Sequence, residues 1–213
     1  MAKPFHDMPG SSCHIHLSLF DKHGNNVFDG SDITLCEQRK LTASNTMRYF
    51  LGGWMKYVMD VFPLYAPYVN SYKRFVTSSW APTNLHAWSV DNRTAPFRIV
   101  GKENSLRIEF RIPGADANPY LAFAAAIAAG LEGIEKKIEP PEIIKGNVYD
   151  RADIQAAPRS LDMALDNFEK SQFAADFLGE HVRKHYLNIL RYEANSYNRV
   201  VTDWEVQRYF DRA

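Results

Sequence analysis

Cysteine is scarce. Cys13 and Cys36 are the only two in 213 residues, which excludes a disulfide framework, and two sulfurs alone do not make a zinc cluster. A reducing cytoplasm fits that usage. Net charge is missing as well: 25 Lys and Arg stand against 25 Asp and Glu. That argues against a general nucleic-acid binder or a polybasic membrane-surface protein, while leaving room for a local basic patch. There is no long apolar run. The most apolar stretch, residues 120–131, is mostly alanine and too short to span a bilayer, so it reads as a buried helix. The first residues lack the apolar core of a signal peptide. Internal repeats, a P-loop, a dinucleotide glycine fingerprint and the protein-kinase motif set are all absent. What remains is ordinary for a packed chain. Hydrophobic residues make up 46% and charged residues 23%, which excludes a disordered protein.

Several segments have a clear period. Over residues 12–20, Cys13, Ile15, Leu17 and Leu19 alternate with His14, His16 and Ser18, giving a strand with one apolar and one polar face. Residues 23–26 form a turn. Residues 42–61 carry Met47, Phe50, Leu51, Trp54, Met55 and Val58 at helical spacing, with Gly52 and Gly53 as a point of close packing, and Pro63 and Pro67 end the helix. Residues 68–82 read as irregular. Strands are expected at 86–90, 96–101 and 105–112. In the last, Leu106, Ile108, Phe110 and Ile112 oppose Arg107, Glu109 and Arg111. Asn118 and Pro119 start an alanine-rich helix that runs to about residue 137. Residues 143–158 read as a loop, and Ser160 and Ser171 cap short helices. A long amphipathic helix is expected over 179–210, with Val182, Tyr186, Ile189, Leu190 and Tyr197 on one side. The fold class is α+β: a curved antiparallel sheet with a polar ligand face, backed by helices, with a helical C-terminal part. A single domain over 1–213 is expected, with the sheet and site in 1–140 and the loop and C-terminal helices in 141–213.

The polar strand faces carry the chemistry. Arg107, Glu109 and Arg111 place two guanidiniums beside one carboxylate. One reading is a solvated ion-pair ladder of little energetic weight. The other is a site for a multiply charged anion, because the guanidinium fork binds carboxylate or phosphate bidentately. With Arg74, Arg93 and Arg98 the arginines form a local cluster better suited to small anions than to long nucleic acid. His14 and His16 share a strand face and, with Glu109, suggest a magnesium or manganese site, yet such a metal wants more oxygen ligands than these.

Five ordered motifs resemble the glutamine synthetase family. They are Gly10-Ser11-Ser12-Cys13-His14-Ile15-His16-Leu17-Ser18-Leu19, Asn70-Ser71-Tyr72-Lys73-Arg74-Phe75, Asp91-Asn92-Arg93-Thr94, Arg107-Ile108-Glu109-Phe110-Arg111-Ile112-Pro113 and Ala117-Asn118-Pro119-Tyr120-Leu121-Ala122. The resemblance spans roughly the whole chain and is tightest over residues 10–133. It implies that family's catalytic-domain fold and an ATP-dependent ligase. Glutamate becomes a γ-glutamyl phosphate, which ammonia or another amine then attacks. Carried over by motif, His14 and Glu109 match metal ligands for Mg2+ or Mn2+. Arg74, Arg111 and Gly10 match glutamate contacts, and His16 and Ser18 match nucleotide contacts. Arg93, Arg98 and Arg107 match phosphate-holding arginines, with Arg93 stabilising charge during transfer. ATP, glutamate and the amine are the implied partners, with no nucleic acid and no membrane, and the parent is expected to form a homo-oligomeric ring.

Two departures from the family pattern shape the expectation. The family's small N-terminal β-domain and the strands bearing most metal-binding glutamates have no counterpart here. The chain therefore resembles a C-terminal fragment of a longer parent, inactive by itself. Second, Trp80 stands where ammonium-using members carry a glutamate. An indole donates but cannot accept a proton, whereas it can cover an alkyl or cationic amine. This context resembles the branch that γ-glutamylates polyamines and other amines; the alternative is that Trp80 only packs its loop. Pro9 replaces an asparagine, Asn104 stands near a common lysine position, and Tyr149 matches a tyrosine adenylylated in some bacterial members. A non-catalytic relative used for binding or assembly is the alternative function.

Overall fold

The computed structural model describes residues 1–76 and 81–212. Among them are strands β1 (Ile15–Leu17), β2 (Ile33–Cys36), β3 (Leu41–Ala43), β4 (Trp88–Val90), β5 (Phe97–Val100) and β6 (Arg107–Phe110). The helices are α1 (Asn45–Tyr57), α2 (Val69–Val76), α3 (Pro119–Glu135), α4 (Leu161–Lys170), α5 (Gln172–Leu178), α6 (Glu180–Asn198) and α7 (Asp203–Tyr209). The architecture is α+β, as the pattern implies. One four-stranded sheet has the order β1-β6-β5-β4, and β2 and β3 form a separate hairpin.

Strand register builds the polar face. His16 lies opposite Glu109, Glu109 opposite Arg98, and Arg98 opposite Ser89. Because side chains alternate along a strand, this row shares one face across all four strands. The neighbouring rows, Ile15–Phe110–Phe97–Trp88 and Leu17–Ile108–Ile99–Val90, turn to the other side. There they meet Trp54 of α1. Its ring lies 5.0 Å from Phe110 and 5.5 Å from Phe97, centroid to centroid, and its indole N–H donates to the Tyr65 hydroxyl at 3.1 Å. A buried indole with both its ring and its N–H satisfied anchors α1 under the sheet. One cluster of buried residues runs from Ile15 to Ala194.

The pairings β1–β6 and β6–β5 are antiparallel, whereas β4 runs parallel to β5. Parallel neighbours ordinarily need a long crossover. Here the strands are only three and four residues long, so residues 91–96 return the chain to the starting end, with Asp91 at φ 49. Residues 42–61 are not helical throughout. Leu41–Ala43 pair with β2, Ser44 caps Met47, and α1 then begins at Asn45. Part of the segment read as irregular is α2, because Tyr72 and Phe75 bury against Phe62. That tertiary burial outweighs the poor local pattern.

The expected single helix over 179–210 is two helices. A capping box between Thr202 and Glu205 starts α7, and the β-branched residues before it disfavour continuation. The buried side of α6 is Leu187, Leu190 and Ala194, while Val182, Ile189 and Tyr197 are exposed. Asn118, Ser160 and Ser171 cap α3, α4 and α5 as expected. Among the described residues no helix is long and apolar enough to cross a membrane.

α1 and α3 touch through glycine and alanine. A methyl group on Gly53 would lie 2.2 Å from the Ala129 carbonyl oxygen and 2.4 Å from Gly133 Cα. Both are backbone atoms that cannot swing aside. Gly53→Ala is therefore expected to cost about 2–3 kcal/mol of unfolding free energy in a urea titration. Unchanged stability would mean the two helices are not held at this separation.

Candidate active site

Glu109 is the hub. Its side chain is 4% exposed, and the Arg98 and Arg111 side chains are 12% and 10% exposed. That burial separates the cluster from a solvated ion-pair ladder, whose members would stay in water. Arg98 Nη1 donates to Glu109 Oε2 at 2.8 Å, and Arg111 Nη1 donates to Oε1 at 2.9 Å. His14 Nδ1 lies 3.1 Å from the same Oε1 and His16 Nε2 lies 3.8 Å from it. Burial works against the Glu109 charge, but the hydrogen bond from Arg98 and the charges of Arg111 and Arg98 outweigh it, holding the carboxyl below its usual range. For His14, burial and then Arg111 push the pKa down against the pull of Glu109. For His16, burial again leads, opposed by Glu109. Both shifts favour the neutral imidazole, the form that ligates metals.

The remaining arginines come from separate elements. Arg74, from α2, is buried and donates from Nη1 to the Ile112 carbonyl at 2.9 Å. Gly10 lies directly on it: a Cβ there would be 2.8 Å from Arg74 Cγ and 2.6 Å from the Ala2 carbonyl oxygen. Arg107 donates from Nε to His16 Nδ1 at 3.1 Å, which fixes that ring nitrogen as the acceptor. Ser18 is half-buried two residues past His16. Arg93 is exposed at the β4–β5 turn and makes no ion pair among the described residues. Trp80 lies outside the described residues. Pro9 is exposed in the loop before Gly10, and Asn104 sits in a short 3-10 turn, Glu103–Ser105, where its carbonyl accepts from Asn26. Tyr149, in the turn Val148–Asp150, is partly exposed and close enough to feel the charge of Arg111.

Arg39 had no signal in the sequence. Arg98 Nη2 also pairs with Asp91, and Asp91 accepts from Arg39 Nη1 at 3.0 Å. Arg39 lies in the β2–β3 hairpin, 52 residues away along the chain. Only the fold brings it there, so no local pattern reveals it. Arg98 Nε, Arg111 Nε and Asp116 Oδ1 are buried without a hydrogen-bond partner among the described residues. Such groups are uncommon in finished cores and common in sites that take a ligand.

The donor set does not fit a metal by itself. Among the described residues no group of three or more His, Cys, Asp or Glu could hold one. His14 and Glu109 supply donors, but Glu109 is occupied by guanidiniums, and a magnesium or manganese ion needs more oxygens. The local charge is positive, so the cluster suits carboxylate or phosphate ligands.

Comparison with known proteins gives a consistent set of relatives. The family model described as "Glutamine synthetase, catalytic domain" matches residues 1–209. Gamma-glutamylethanolamide synthetase GlnA4 of Streptomyces coelicolor is 45% identical over 213 residues, covering 100% of this chain and 43% of the relative. Glutamate–isopropylamine ligase of a Pseudomonas species is 37% identical over 214 residues, covering 99% and 45%. Among solved structures, apo GmaS superposes with a TM-score of 0.87 at 32% identity, covering 99% of this chain and 47% of that one. The chain thus spans about half the length of the curated relatives it matches.

Glu109→Gln tests the hub. It keeps the shape but leaves Arg111 without its counter-charge and Arg98 with Asp91 alone, and is expected to cost about 3 kcal/mol of stability. Because the Glu109 charge raises both histidine pKa values, its removal is also expected to lower the NMR titration midpoints of His14 and His16. Midpoints that stay put would show that the carboxylate is not beside the imidazoles.

Proposed function

The chain belongs to the glutamine synthetase catalytic-domain family, and on that premise we propose that its parent protein is an ATP-dependent ligase joining glutamate to an alkylamine. The observation that carries this reading is the buried carboxylate Glu109 set among guanidiniums that face in from several elements. Both anionic substrates of such a reaction need cations held out of bulk water, where each contact is worth more.

Arg74, Arg111 and the Gly10 backbone hold glutamate. His16, Ser18, Arg98 and Arg107 face the nucleotide. A γ-carboxylate oxygen of glutamate attacks the terminal phosphorus of ATP, and the bridging oxygen leaves with its electron pair on ADP. Arg93 stabilises the charge that develops on the transferring group. The amine nitrogen then attacks the acyl carbon, phosphate departs with its electron pair, and the amine loses a proton. His14 and, once freed from its guanidiniums, Glu109 are the residues here that would help hold Mg2+ or Mn2+, which needs further oxygen ligands and would supply charge neutralisation at the phosphates. The parent works as a homo-oligomer in the cytoplasm, with no nucleic-acid or membrane partner, and residues 1–213 act within it as one unit.

Two features support an amine larger than ammonium. Relatives at 45% and 37% identity are named for ethanolamide and isopropylamine products or substrates. Trp80 occupies the position where a proton-accepting glutamate serves ammonium in the family. An indole offers an apolar wall and a π-face to an alkylammonium instead.

The test is ADP release by the full-length parent with ATP, magnesium and glutamate, offered ammonium, ethanolamine, isopropylamine and diamines in turn. An alkylamine is expected to give the highest kcat/KM. Ammonium as the best acceptor would overturn the assignment of amine. Residues 1–213 alone are expected to release no ADP, for want of carboxylate ligands.

A further inference from the structure

Arg93 poses a positioning problem. Its long side chain has no ion-pair partner among the described residues, and holding an unpaired arginine in one pose costs rotamer entropy. Aim must then come from the backbone on either side of it. We infer that Thr94 and Asn92 are positioning residues for Arg93, clamping its backbone to the loop of residues 144–148. This rests on the role proposed above for Arg93.

The clamp is built from side chains flanking Arg93. The Thr94 hydroxyl donates to Asn92 Oδ1 at 2.7 Å and accepts from the Val148 N–H at 2.9 Å. One oxygen atom thus joins two segments 54 residues apart in sequence. Asn92 Oδ1 also accepts from the Thr94 N–H at 3.0 Å, and Asn92 Nδ2 donates to the Gly146 carbonyl at 2.7 Å. Val148 opens the short turn Val148–Asp150, where an N–H has no partner within the turn, and Thr94 supplies one.

The loop is itself fixed. Ile144 N–H donates to Trp88 O at 3.0 Å, and Ser89 Oγ donates to Ile144 O at 2.7 Å. Asn84 Nδ2 donates to Val148 O and Arg151 O. Beneath it, Ala87, Ala95, Ile144 and Val148 form a small buried cluster of their own. On the other side, Asp91 is held by Arg98 and Arg39 while its N–H donates to Ile99 O. Residues 91–95 therefore have anchored neighbours on both sides, and Arg93 is the side chain among them that is exposed and without an ion pair among the described residues.

The experiment uses the full-length parent with its best amine. Thr94→Val keeps the shape and removes both hydroxyl bonds. It is expected to lower kcat about 10- to 100-fold, the cost of misplacing a catalytic group by a fraction of an ångström. KM for ATP and glutamate should change less than about twofold, and Thr94→Ser should restore kcat. Arg93→Lys should also lower kcat, because the guanidinium fork is lost. In the Arg93→Lys background, Thr94→Val should cost little more, since both act through one group. Three results overturn the inference while leaving the role of Arg93 intact: additive losses, a Thr94→Val variant with wild-type kcat, or failure of Thr94→Ser to rescue. If Arg93→Lys itself leaves kcat unchanged, the proposed role of Arg93 fails and the clamp inference falls with it. Should Thr94→Val not fold, Asn92→Ala replaces it, removing the side-chain bonds to Thr94 and Gly146 without adding a charge beside Arg93, with the same kcat and KM split expected.

Discussion

The rest of the structure is arranged around one carboxylate held out of water. A buried charge persists only when it is paired and hydrogen-bonded, and Glu109 is engaged at both oxygens. Its partners come from β5, from the end of β6 and from the β1 segment. Arg98 and His14 reach Glu109 only when β6 lies between β1 and β5 in the observed register. A slip of one residue would turn Glu109 toward Trp54 and the core. The apolar rows on the opposite face enforce the same register, because Phe97 and Phe110 stack 4.6 Å apart over that tryptophan. Core packing and charge pairing thus select one alignment from two sides of one sheet.

That agreement explains why the centre of the site was legible in the sequence. The alternation through Leu106, Arg107, Ile108, Glu109, Phe110 and Arg111 is a local pattern, and so is the alternation around His14 and His16. Each assigns its charged residues to one face, and the structure places Arg98, Arg107, Glu109, Arg111, His14 and His16 together. Helix caps were legible for the same reason, since Asn118, Ser160 and Ser171 act within three residues of themselves. The glycine pair of α1 could be read as a close approach, though only α3 revealed what approaches.

What escaped was non-local or depended on length. The Arg39–Asp91–Arg98 chain of charges joins a hairpin to the site from 52 residues away. The parallel pairing of β4 and β5 follows from how short the strands are, a quantity whose limits composition sets poorly. α2 was hidden because its stability comes from Tyr72 and Phe75 packing on Phe62. The break before α7 was visible in principle, since Thr202 and Glu205 form a capping box, but a continuing apolar pattern masked it. In each case tertiary contacts overrode a weak local preference.

Zero net charge, finally, conceals a polarised molecule. Around Glu109 the guanidiniums of Arg74, Arg98, Arg107 and Arg111 outnumber the carboxylates, and burial and nearby cations push both histidine pKa values down. The balancing acids lie elsewhere. Asp162, Asp166 and Glu169 of α4, for example, surround the single guanidinium of Arg191 on α6. Clustered like charges, with buried N–H groups at Arg98 and Arg111 that have no partner among the described residues, cost stability. A protein tolerates that cost where binding an anion relieves it, and an anion that binds only the folded form returns the stability by mass action. The global neutrality of the sequence and the local surplus of its site are then one design. Acid placed at a distance balances the charge of these residues without competing for the guanidiniums around Glu109.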